Sequence, residues 1–201
     1  MKPKVLVARA VFPDVIERLA RQFDVESNQE DHIFSADELA EKMRDKHALL
    51  TTASERIGAQ AIAASPHLKA ICNMAVGYNN IDLDAATRAG IVVTNTPEVL
   101  NETTADFAWT LLMAAARRVS ESERWLRDGK WNKWRYDAFL GADIHGSTLG
   151  IIGMGRIGQA IARRSTGFNM KVIYHNRSRL PAQLESDANH AQYAGKDALL
   201  R

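Results

Sequence analysis

The sequence contains a single cysteine and no long apolar run. Cys72 alone cannot form an internal disulfide, and its position in the apolar run Leu68–Ala75 predicts a buried, unreactive thiol in a reducing cytoplasm. The first apolar run is short, because Arg9 interrupts it. The amino-terminal residues therefore indicate neither a signal peptide nor a membrane-spanning helix.

Excess charge and several catalytic motifs are also lacking. The formal net charge is +2, with lysines and arginines scattered among 24 acidic residues. A nucleic-acid surface needs clustered basic charge, so we expect neither a nucleic-acid nor a membrane partner. The serine elbow G-x-S-x-G and the phosphate loop G-K-S/T do not occur, which excludes the hydrolases and kinases that depend on them. We identify no metal ligands.

Strand-like and helix-like segments alternate regularly over residues 1–100. Ser35 and Glu38 form the pattern of a capping box at the start of one of the helices, whose apolar residues are Leu39 and Met43. Such alternation predicts an α/β domain with a parallel sheet covered on both faces. The predicted strands are Val5–Ala8, Phe23–Glu26, Ala48–Thr51, Leu68–Ala75 and Ile91–Thr94, and the other helices are Pro13–Gln22, Gly58–Ala64 and Asp84–Ala89, the last ended by Gly90.

Residues 101–146 read as a linker of two helices and a loop. We predict that Thr103 caps a long helix and that Ser120–Arg127 forms a second one, stopped by Gly129. The apolar face predicted for the long helix consists of Phe107, Leu111, Leu112 and Ala115. The loop carries Trp131, Trp134 and Tyr136, and we expect these aromatic residues to seal an interface or a subunit contact rather than to form a substrate cage.

Residues 147–201 begin with a glycine pattern in a strand-to-helix context. The strand-like run Leu149–Ile152 leads into Gly153, Gly155 and Gly158, and a helix-like stretch follows. Glycine permits the tight turn, the close approach of a pyrophosphate and the close packing of helix on strand. The free N–H groups of Arg156 and Ile157 at the helix start favour phosphate. The pattern predicts a dinucleotide-binding turn, the alternative being a turn without a ligand.

The choice of dinucleotide depends on the residues after the second strand, Met170–Tyr174. NAD-binding folds place a carboxylate there to bind the ribose 2′-hydroxyl. This chain has no acid and instead has Asn176, Arg177, Ser178 and Arg179. A guanidinium fork, a hydroxyl and a second positive charge suit a 2′-phosphate, so we predict that NADP(H) is preferred, with NAD(H) as the second choice. A solvated basic turn is the alternative interpretation.

Three stretches together resemble the D-isomer-specific 2-hydroxyacid dehydrogenase family. They are Val76–Asp82 (VGYNNID), Thr96–Leu100 with Thr103–Asp106 (TPEVL and TTAD), and Leu149–Gly158 (LGIIGMGRIG). The resemblance implies a flavodoxin-like substrate domain over residues 1–100, a linker over 101–146 and the first, incomplete part of a Rossmann domain with a parallel sheet over 147–201. Within the family, Leu140–Gly146 and Asn176–Arg179 are most similar to bacterial NADPH-preferring glyoxylate/hydroxypyruvate and 2-ketogluconate reductases.

The resemblance also implies roles for individual residues. Backbone N–H groups of Val76 and Gly77 are implied to hold the carboxylate of a small 2-keto acid, and Thr104 to touch the cofactor near its nicotinamide. The family reduces the keto acid with hydride from the nicotinamide, using a histidine, a carboxylate and an arginine that lie beyond the second strand of the cofactor domain. A homodimer is implied for the full-length family.

This chain ends before the catalytic residues that the resemblance implies. None of His145, His175 and His190 matches the family's acid position, so we assign no catalytic residue and expect these 201 residues alone to be an inactive part of a reductase. The short strand Gln192–Tyr193 and a helical segment Lys196–Leu200 are predicted to complete a three-stranded half sheet. A non-catalytic NADP(H)-binding module and a formate-type dehydrogenase remain as alternatives.

Overall fold

The structure, a computed structural model, describes residues 1–201 and divides them into two compact units, residues 1–97 and residues 98–201. The first unit alternates strands and helices: β1 Lys4–Val7, α1 Pro13–Ala20, β2 Asp24–Ser27, α2 Ala36–Met43, β3 Ala48–Thr51, α3 Ala59–Ala63, β4 Ala70–Asn73, α4 Leu83–Arg88 and β5 Val92–Thr94. All neighbouring strands are parallel, in the order β2-β1-β3-β4-β5. This is the flavodoxin-like order, which confirms the predicted fold of this part.

Local signals in the sequence set the helix ends of the first unit. The Ser35 hydroxyl accepts a hydrogen bond from the Glu38 N–H, and the Glu38 carboxylate accepts one from the Ser35 N–H. The predicted capping box of α2 is therefore confirmed. Gly90 directly follows Ala89, the C-cap of α4, and has φ +68°, the left-handed conformation that commonly ends a helix.

The thiol of Cys72 is less buried than we predicted. Successive side chains of a strand point to opposite faces of the sheet. In β4, Ile71 and Asn73 are buried, whereas Cys72 on the other face is only half-buried. The strand Ala70–Asn73 is also shorter than the apolar run Leu68–Ala75 suggested, and the Leu68 N–H donates to the Ser65 carbonyl of the preceding turn.

The second unit builds a three-stranded parallel sheet in the order β6-β7-β8. Its elements are α5 Asn101–Ala116, α6 Val119–Arg127, β6 Thr148–Ile152, α7 Arg156–Arg164, a 3-10 turn Ser165–Phe168, β7 Lys171–His175, α8 Ala182–Asp187, β8 Gln192–Tyr193 and α9 Lys196–Leu199. The short third strand and last helix were predicted, whereas α8 was not. The sheet is the first part of a Rossmann fold, as expected. No helix of the chain has the length and apolar character needed to cross a bilayer.

The long helix α5 differs from its prediction at its start and in its buried face. It begins at Asn101, and Thr103 does not cap it, because its hydroxyl donates to the Leu100 carbonyl from within the first turn. Phe107 and Leu111 are 63% and 54% exposed and Ala115 is exposed, so the prediction was wrong for these three residues; Leu112 packs against the core as predicted. The buried residues are Ala105 and Trp109, and the indole N–H of Trp109 donates to the Ile161 carbonyl at 2.9 Å.

Trp109 fixes the rotation of α5 against the rest of the second unit. Its ring stacks on that of Phe168, with centroids 5.0 Å apart. Ion pairs reinforce the packing of α5 on α7: Arg164 contacts both Asp106 and Glu102. These pairs are largely solvent-exposed, so each contributes little, and the buried indole decides which face of α5 is covered.

Candidate functional site

The glycine turn joins β6 to α7 in the second unit. Gly153 has φ +98°, a conformation that residues with a Cβ rarely adopt. A Cβ on Gly158 would lie 2.3 Å from the Gly153 carbonyl oxygen, so only glycine permits this approach of helix to strand. A Cβ on Gly155 would meet no atom within 4 Å, which leaves open space beside the helix start.

The first turn of α7 fits a phosphate. Gly155 is the N-cap and offers no side-chain acceptor, so the N–H groups of Arg156 and Ile157 have no capping partner. The nine-residue helix directs the positive end of its dipole toward the same point. The Arg156 side chain is exposed and contacts Glu98 at 3.3 Å. The turn thus combines free donors with room for a pyrophosphate.

Asn176 lies directly after β7, but its side chain is used within the protein. Its Oδ1 accepts a hydrogen bond from the Met154 N–H at 2.8 Å, which ties the end of β7 to the glycine turn. The Asn176 backbone carbonyl accepts a bond from the Tyr193 hydroxyl at 3.2 Å. The amide therefore shapes the turn, a role that the sequence did not indicate because Met154 lies 22 residues away.

Arg179 is also engaged within the protein. Its guanidinium donates two hydrogen bonds to the carboxylate of Glu185, both at 2.9 Å. The buried Tyr174 hydroxyl donates to the same carboxylate at 2.7 Å and accepts from the Leu180 N–H at 2.8 Å. Arg179, followed by Tyr174, lowers the pKa of Glu185 to about 2. This cluster closes the loop that carries residues 176–179.

Arg177 and Ser178 are the remaining members of the predicted 2′-phosphate set. Both are exposed, and neither side chain makes a hydrogen bond or ion pair with the chain. The structure therefore separates the set of four residues into two that hold the loop and two that face solvent. The amino-acid composition alone could not reveal this division, because it counts charges without showing their partners.

The loop after β4 carries the residues implied to bind a carboxylate. Val76 is half-buried and Gly77 is exposed. Their carbonyl groups accept hydrogen bonds from Asn95 and Asn73, at 2.9 and 2.7 Å. Their N–H groups donate to no acceptor in the chain. The sequence did not single out either asparagine.

Thr104 lies in the first turn of α5. Its N–H donates to the Leu100 carbonyl, and its half-buried hydroxyl makes no hydrogen bond with the chain. The contact between Glu98 and Arg156 brings the segment that leads into α5 to the start of α7. Thr104 is thus placed on the element that adjoins the glycine turn, with its hydroxyl unused.

The histidines form no buried dyad with a carboxylate. His175 Nδ1 lies 3.0 Å from the Ala194 carbonyl, and its ring packs beside Tyr193. The single histidine–carboxylate contact, His32 with Glu38 at 3.6 Å, is exposed, and Glu38 belongs to the capping box of α2. No three His, Cys, Asp or Glu side chains are grouped to hold a metal ion.

Because Gly155 and Gly158 have different surroundings, we expect substitution by alanine to change a different property at each position. Gly158→Ala should reduce the free energy of unfolding of the second unit by about 1–3 kcal/mol, because the new methyl group overlaps the Gly153 carbonyl. Gly155→Ala should leave stability unchanged and weaken binding of the predicted dinucleotide, with NADPH as the probe, at least about tenfold, since its methyl group occupies the open space.

Urea unfolding and NADPH titration, both followed by tryptophan fluorescence, measure these effects. All four tryptophans lie in the second unit, so the signal reports on that unit alone. A stable Gly158→Ala variant, or a Gly155→Ala variant with unchanged NADPH affinity, would contradict the roles given to these glycines.

The pKa of Glu185 predicts a specific acid sensitivity. Because the folded-state pKa, about 2, lies below the ordinary value of 4.5, the carboxylate stabilises the fold above about pH 4.5 and loses this effect as the pH falls toward 2. Glu185→Gln should therefore have a lower melting temperature than the unchanged chain at pH 7. The difference should shrink between pH 4.5 and pH 2.

Thermal unfolding followed by tryptophan fluorescence at several pH values checks this expectation. Asp143→Asn is the control, because Asp143 is exposed and makes no hydrogen bond or ion pair with the chain. The other carboxylates are the same in the unchanged chain, Glu185→Gln and Asp143→Asn, so their effects cancel when the melting temperatures of these three proteins are subtracted. A melting-temperature difference for Glu185→Gln that stays constant with pH would rule out this role.

Comparison with known proteins gives a consistent result over the whole chain. Residues 5–172 match the family model described as D-isomer specific 2-hydroxyacid dehydrogenase, catalytic domain. A glyoxylate reductase of Thermococcus onnurineus (strain NA1) is 47% identical over 205 residues, which cover 100% of this chain and 61% of the relative. The chain thus spans about three fifths of the length of the curated relatives it matches.

Solved structures agree with the sequence relatives. A glyoxylate reductase from Paecilomyes thermophila superposes with a TM-score of 0.81 at 32% identity, covering 100% of this chain and 62% of that one. An NADPH-dependent glyoxylate/hydroxypyruvate reductase from Sinorhizobium meliloti, in complex with NADP and malonate, gives a TM-score of 0.76 at 33% identity, covering 96% and 57% of the two chains. The glycine turn, the flavodoxin-like sheet and these matches together show that the chain belongs to the D-isomer specific 2-hydroxyacid dehydrogenase family.

Proposed function

We propose that this chain provides the coenzyme turn and the carboxylate-binding loop of an NADPH-dependent reductase of small 2-keto acids. The substrates are of the glyoxylate, hydroxypyruvate or 2-ketogluconate type, and the product is the corresponding 2-hydroxy acid, of D configuration where it is chiral. The glycine turn carries the proposal, because Gly155 leaves open space beside the uncapped start of α7. The names of the similar proteins, glyoxylate reductase among them, support the substrate class.

The coenzyme preference rests on Arg177 and Ser178. Both side chains are exposed and unpaired after the end of β7, where a 2′-phosphate binds in NADP-dependent folds. Asn176 takes the position of the usual carboxylate, so no negative charge repels the phosphate. Bound NADPH supplies the hydride for the keto carbon. NAD(H) remains the weaker coenzyme, because it lacks the group that Arg177 recognises.

The substrate carboxylate is assigned to the loop Val76–Gly77. Its N–H groups have no acceptor in the chain, and hydrogen bonds from such groups to an anion are stronger than those to a neutral group. Thr104 is assigned to the nicotinamide end of the coenzyme on account of its unused hydroxyl. These assignments describe binding, and the chemical step needs an acid as well.

Residues 1–201 alone are proposed to bind without turnover. The family's arginine, carboxylate and histidine have no counterpart among the described residues, and the one histidine–carboxylate contact is exposed and lies beside a helix cap. A non-catalytic NADP(H)-binding module therefore remains the second candidate. The full-length protein distinguishes the two candidates. A reductase reduces a keto acid with NADPH, whereas a binding module binds NADPH without reducing one.

A homodimer is the proposed assembly. The second unit exposes apolar side chains on α5, on α6 and in the aromatic loop: Phe107, Leu111, Val119, Leu126, Trp131, Trp134, Tyr136 and Leu140. An apolar groove lined by Trp109, Met113, Val119 and Phe168 lies among the helices. Exposed apolar area of this extent in one region is typical of a subunit contact. A second copy of the chain provides a surface of the same character.

A charge-removing substitution tests the coenzyme assignment. Arg177→Gln should weaken NADPH binding by about 10- to 100-fold, because one charge-assisted hydrogen bond to the phosphate is lost, and should leave NADH binding unchanged. Titrating residues 1–201 with each coenzyme, followed by quenching of tryptophan fluorescence, measures both constants. No NADPH oxidation is expected on adding glyoxylate to this chain.

Lys171→Gln is the matched control. It removes the same charge from the opposite end of β7, about 15 Å from the turn. Equal loss of NADPH and NADH affinity in Arg177→Gln would contradict a role in phosphate recognition. Absence of NADPH binding in the unchanged chain would refute the proposed function itself.

Phe107 provides a test of the dimer. Sedimentation equilibrium should show dimers of the unchanged chain and monomers of Phe107→Asp, because a buried charge opposes association. Ile33→Asp is the control, since Ile33 in the first unit is equally exposed, at 63%, and outside the apolar region. Both variants should keep the far-UV circular-dichroism spectrum of the unchanged chain. A monomeric unchanged chain would exclude this assembly.

A further inference from the structure

In the loop of residues 75–80, most backbone carbonyl groups are hydrogen-bonded, whereas the N–H groups are not. Five of its carbonyl groups accept hydrogen bonds. The donors are Thr96 N–H to the carbonyl of residue 75, Asn95 Nδ2 to that of 76, Asn73 Nδ2 to that of 77, Ile81 N–H to that of 78 and Ile57 N–H to that of 80. None of the N–H groups of residues 75–80 donates to an acceptor in the chain. Residues 77–79 are exposed and none of the six is buried, so these donors are open to an acceptor from outside the chain.

Because the peptide bond is planar, a hydrogen bond that anchors a carbonyl group also sets the direction of the next N–H group. In a trans peptide, the carbonyl of one residue and the N–H of the next point in opposite directions. The bond from Asn95 to the Val76 carbonyl thus aims the Gly77 N–H. In the same way, the bond from Asn73 to the Gly77 carbonyl aims the Tyr78 N–H.

The Val76 N–H is aimed by backbone alone. The Ala75 carbonyl accepts a bond from the Thr96 N–H at 3.0 Å, which orients the peptide that carries the Val76 N–H. Three consecutive donors, at residues 76, 77 and 78, are therefore held by anchored carbonyl groups. Free backbone N–H groups held in this way can donate hydrogen bonds to an anion, and such bonds are stronger than those to a neutral group.

The two asparagines occupy equivalent places at the edge of the sheet. Asn73 is the last residue of β4, Asn95 follows β5 directly, and the register pairs Cys72 with Thr94. The carboxyl ends of parallel strands are where open α/β sheets bind ligands. The side chains therefore support the loop from two adjacent strand ends.

The stability of the fold does not explain why residue 73 is an asparagine. The residue is 2% exposed, and its Oδ1 is buried without a hydrogen-bond partner. Leaving a buried amide oxygen unpaired destabilises the fold. An apolar residue at this position would avoid that cost, so the hydrogen bond to the Gly77 carbonyl is the feature that the asparagine provides.

No carboxylate competes for the free donors. Asp82, which follows the loop, accepts the Ala85 N–H as the N-cap of α4. The buried Glu55 carboxylate accepts bonds from Thr51 and Thr52. Both acids near the loop are thus committed elsewhere.

We propose that Asn73 and Asn95 are positioning residues that direct the N–H groups of Gly77 and Tyr78 toward the carboxylate of a 2-keto acid. The proposal rests on the proposed function, and it adds Tyr78 to the donors and two side chains that aim them. Without either asparagine, the corresponding peptide loses its anchor and can rotate its carbonyl toward the anion. Affinity for carboxylate then falls although the fold is kept.

The experiment is a titration of ¹⁵N-labelled residues 1–201 with oxamate, a non-reducible carboxylate analogue of a 2-keto acid, into the millimolar range, observed by NMR. Chloride at equal concentration serves as the reference for non-specific anions. We expect the amide signals of Val76, Gly77 and Tyr78 to shift together and saturably with oxamate. Asn73→Ala and Asn95→Ala should each raise the Kd at least about tenfold, the loss of one hydrogen bond to a charged group.

Two controls separate positioning from general damage. Asn79→Ala changes the same residue type in the same loop, but the Asn79 side chain makes no hydrogen bond, so the oxamate Kd should not change. The NADPH affinity of all variants, read from the tryptophans of the second unit, should also stay constant. Far-UV circular dichroism should give equal melting temperatures for Asn79→Ala and Asn95→Ala within a few degrees.

The outcomes distinguish this proposal from the proposed function. Unchanged oxamate affinity in both asparagine variants overturns the positioning role and leaves the function intact. NADPH binding without oxamate shifts at residues 76–78 also overturns it, with the coenzyme assignment standing. Oxamate shifts lost in the asparagine variants, in a chain that binds no NADPH, support the loop and refute the reductase.

Discussion

Both units of this chain face the same constraint. Strands of a parallel sheet end at one edge, where the backbone leaves the ladder of hydrogen bonds and its polar groups need other partners. The first unit anchors the carbonyl groups of the loop after β4 with Asn73 and Asn95 and leaves the N–H groups free. The second unit leads β6 into α7 through glycines, so that the free groups are again N–H donors. Both solutions present positive backbone dipoles, and both favour anionic ligands.

Signals that act over a few residues could be predicted from the sequence. The capping box of Ser35 and Glu38, the turn at Gly90 and the glycine turn at Gly153 all depend on neighbours within four residues or on the freedom of one φ angle. The parallel sheet of the first unit followed from the alternation of elements, whereas its flavodoxin-like strand order was implied by the family resemblance. These features are physical properties of short segments, and short segments are what a single sequence displays.

Features that depend on distant partners could not be predicted. The rotation of α5 is set by Trp109, which bonds to a carbonyl 52 residues away. Arg179 was assigned to phosphate by its charge alone, whereas α8, which was not predicted, supplies Glu185 as its partner. The role of Asn73 could not be predicted, because an asparagine at a strand end is also common in ordinary turns. In each case the residue type is visible in the sequence, whereas its partner is visible only in the fold.

The third strand, although only two residues long, braces the turn that carries Arg177. The Tyr193 hydroxyl bonds to the Asn176 carbonyl, the Ala194 N–H bonds to the Tyr174 carbonyl, and the Tyr193 ring packs on those of Tyr174 and His175. Asn176 in turn holds Met154 in the glycine turn. The outermost strand and the glycine turn are therefore coupled directly. A displacement of β8 reaches the backbone of Met154 through two hydrogen bonds in series, from Tyr193 to Asn176 and from Met154 to Asn176.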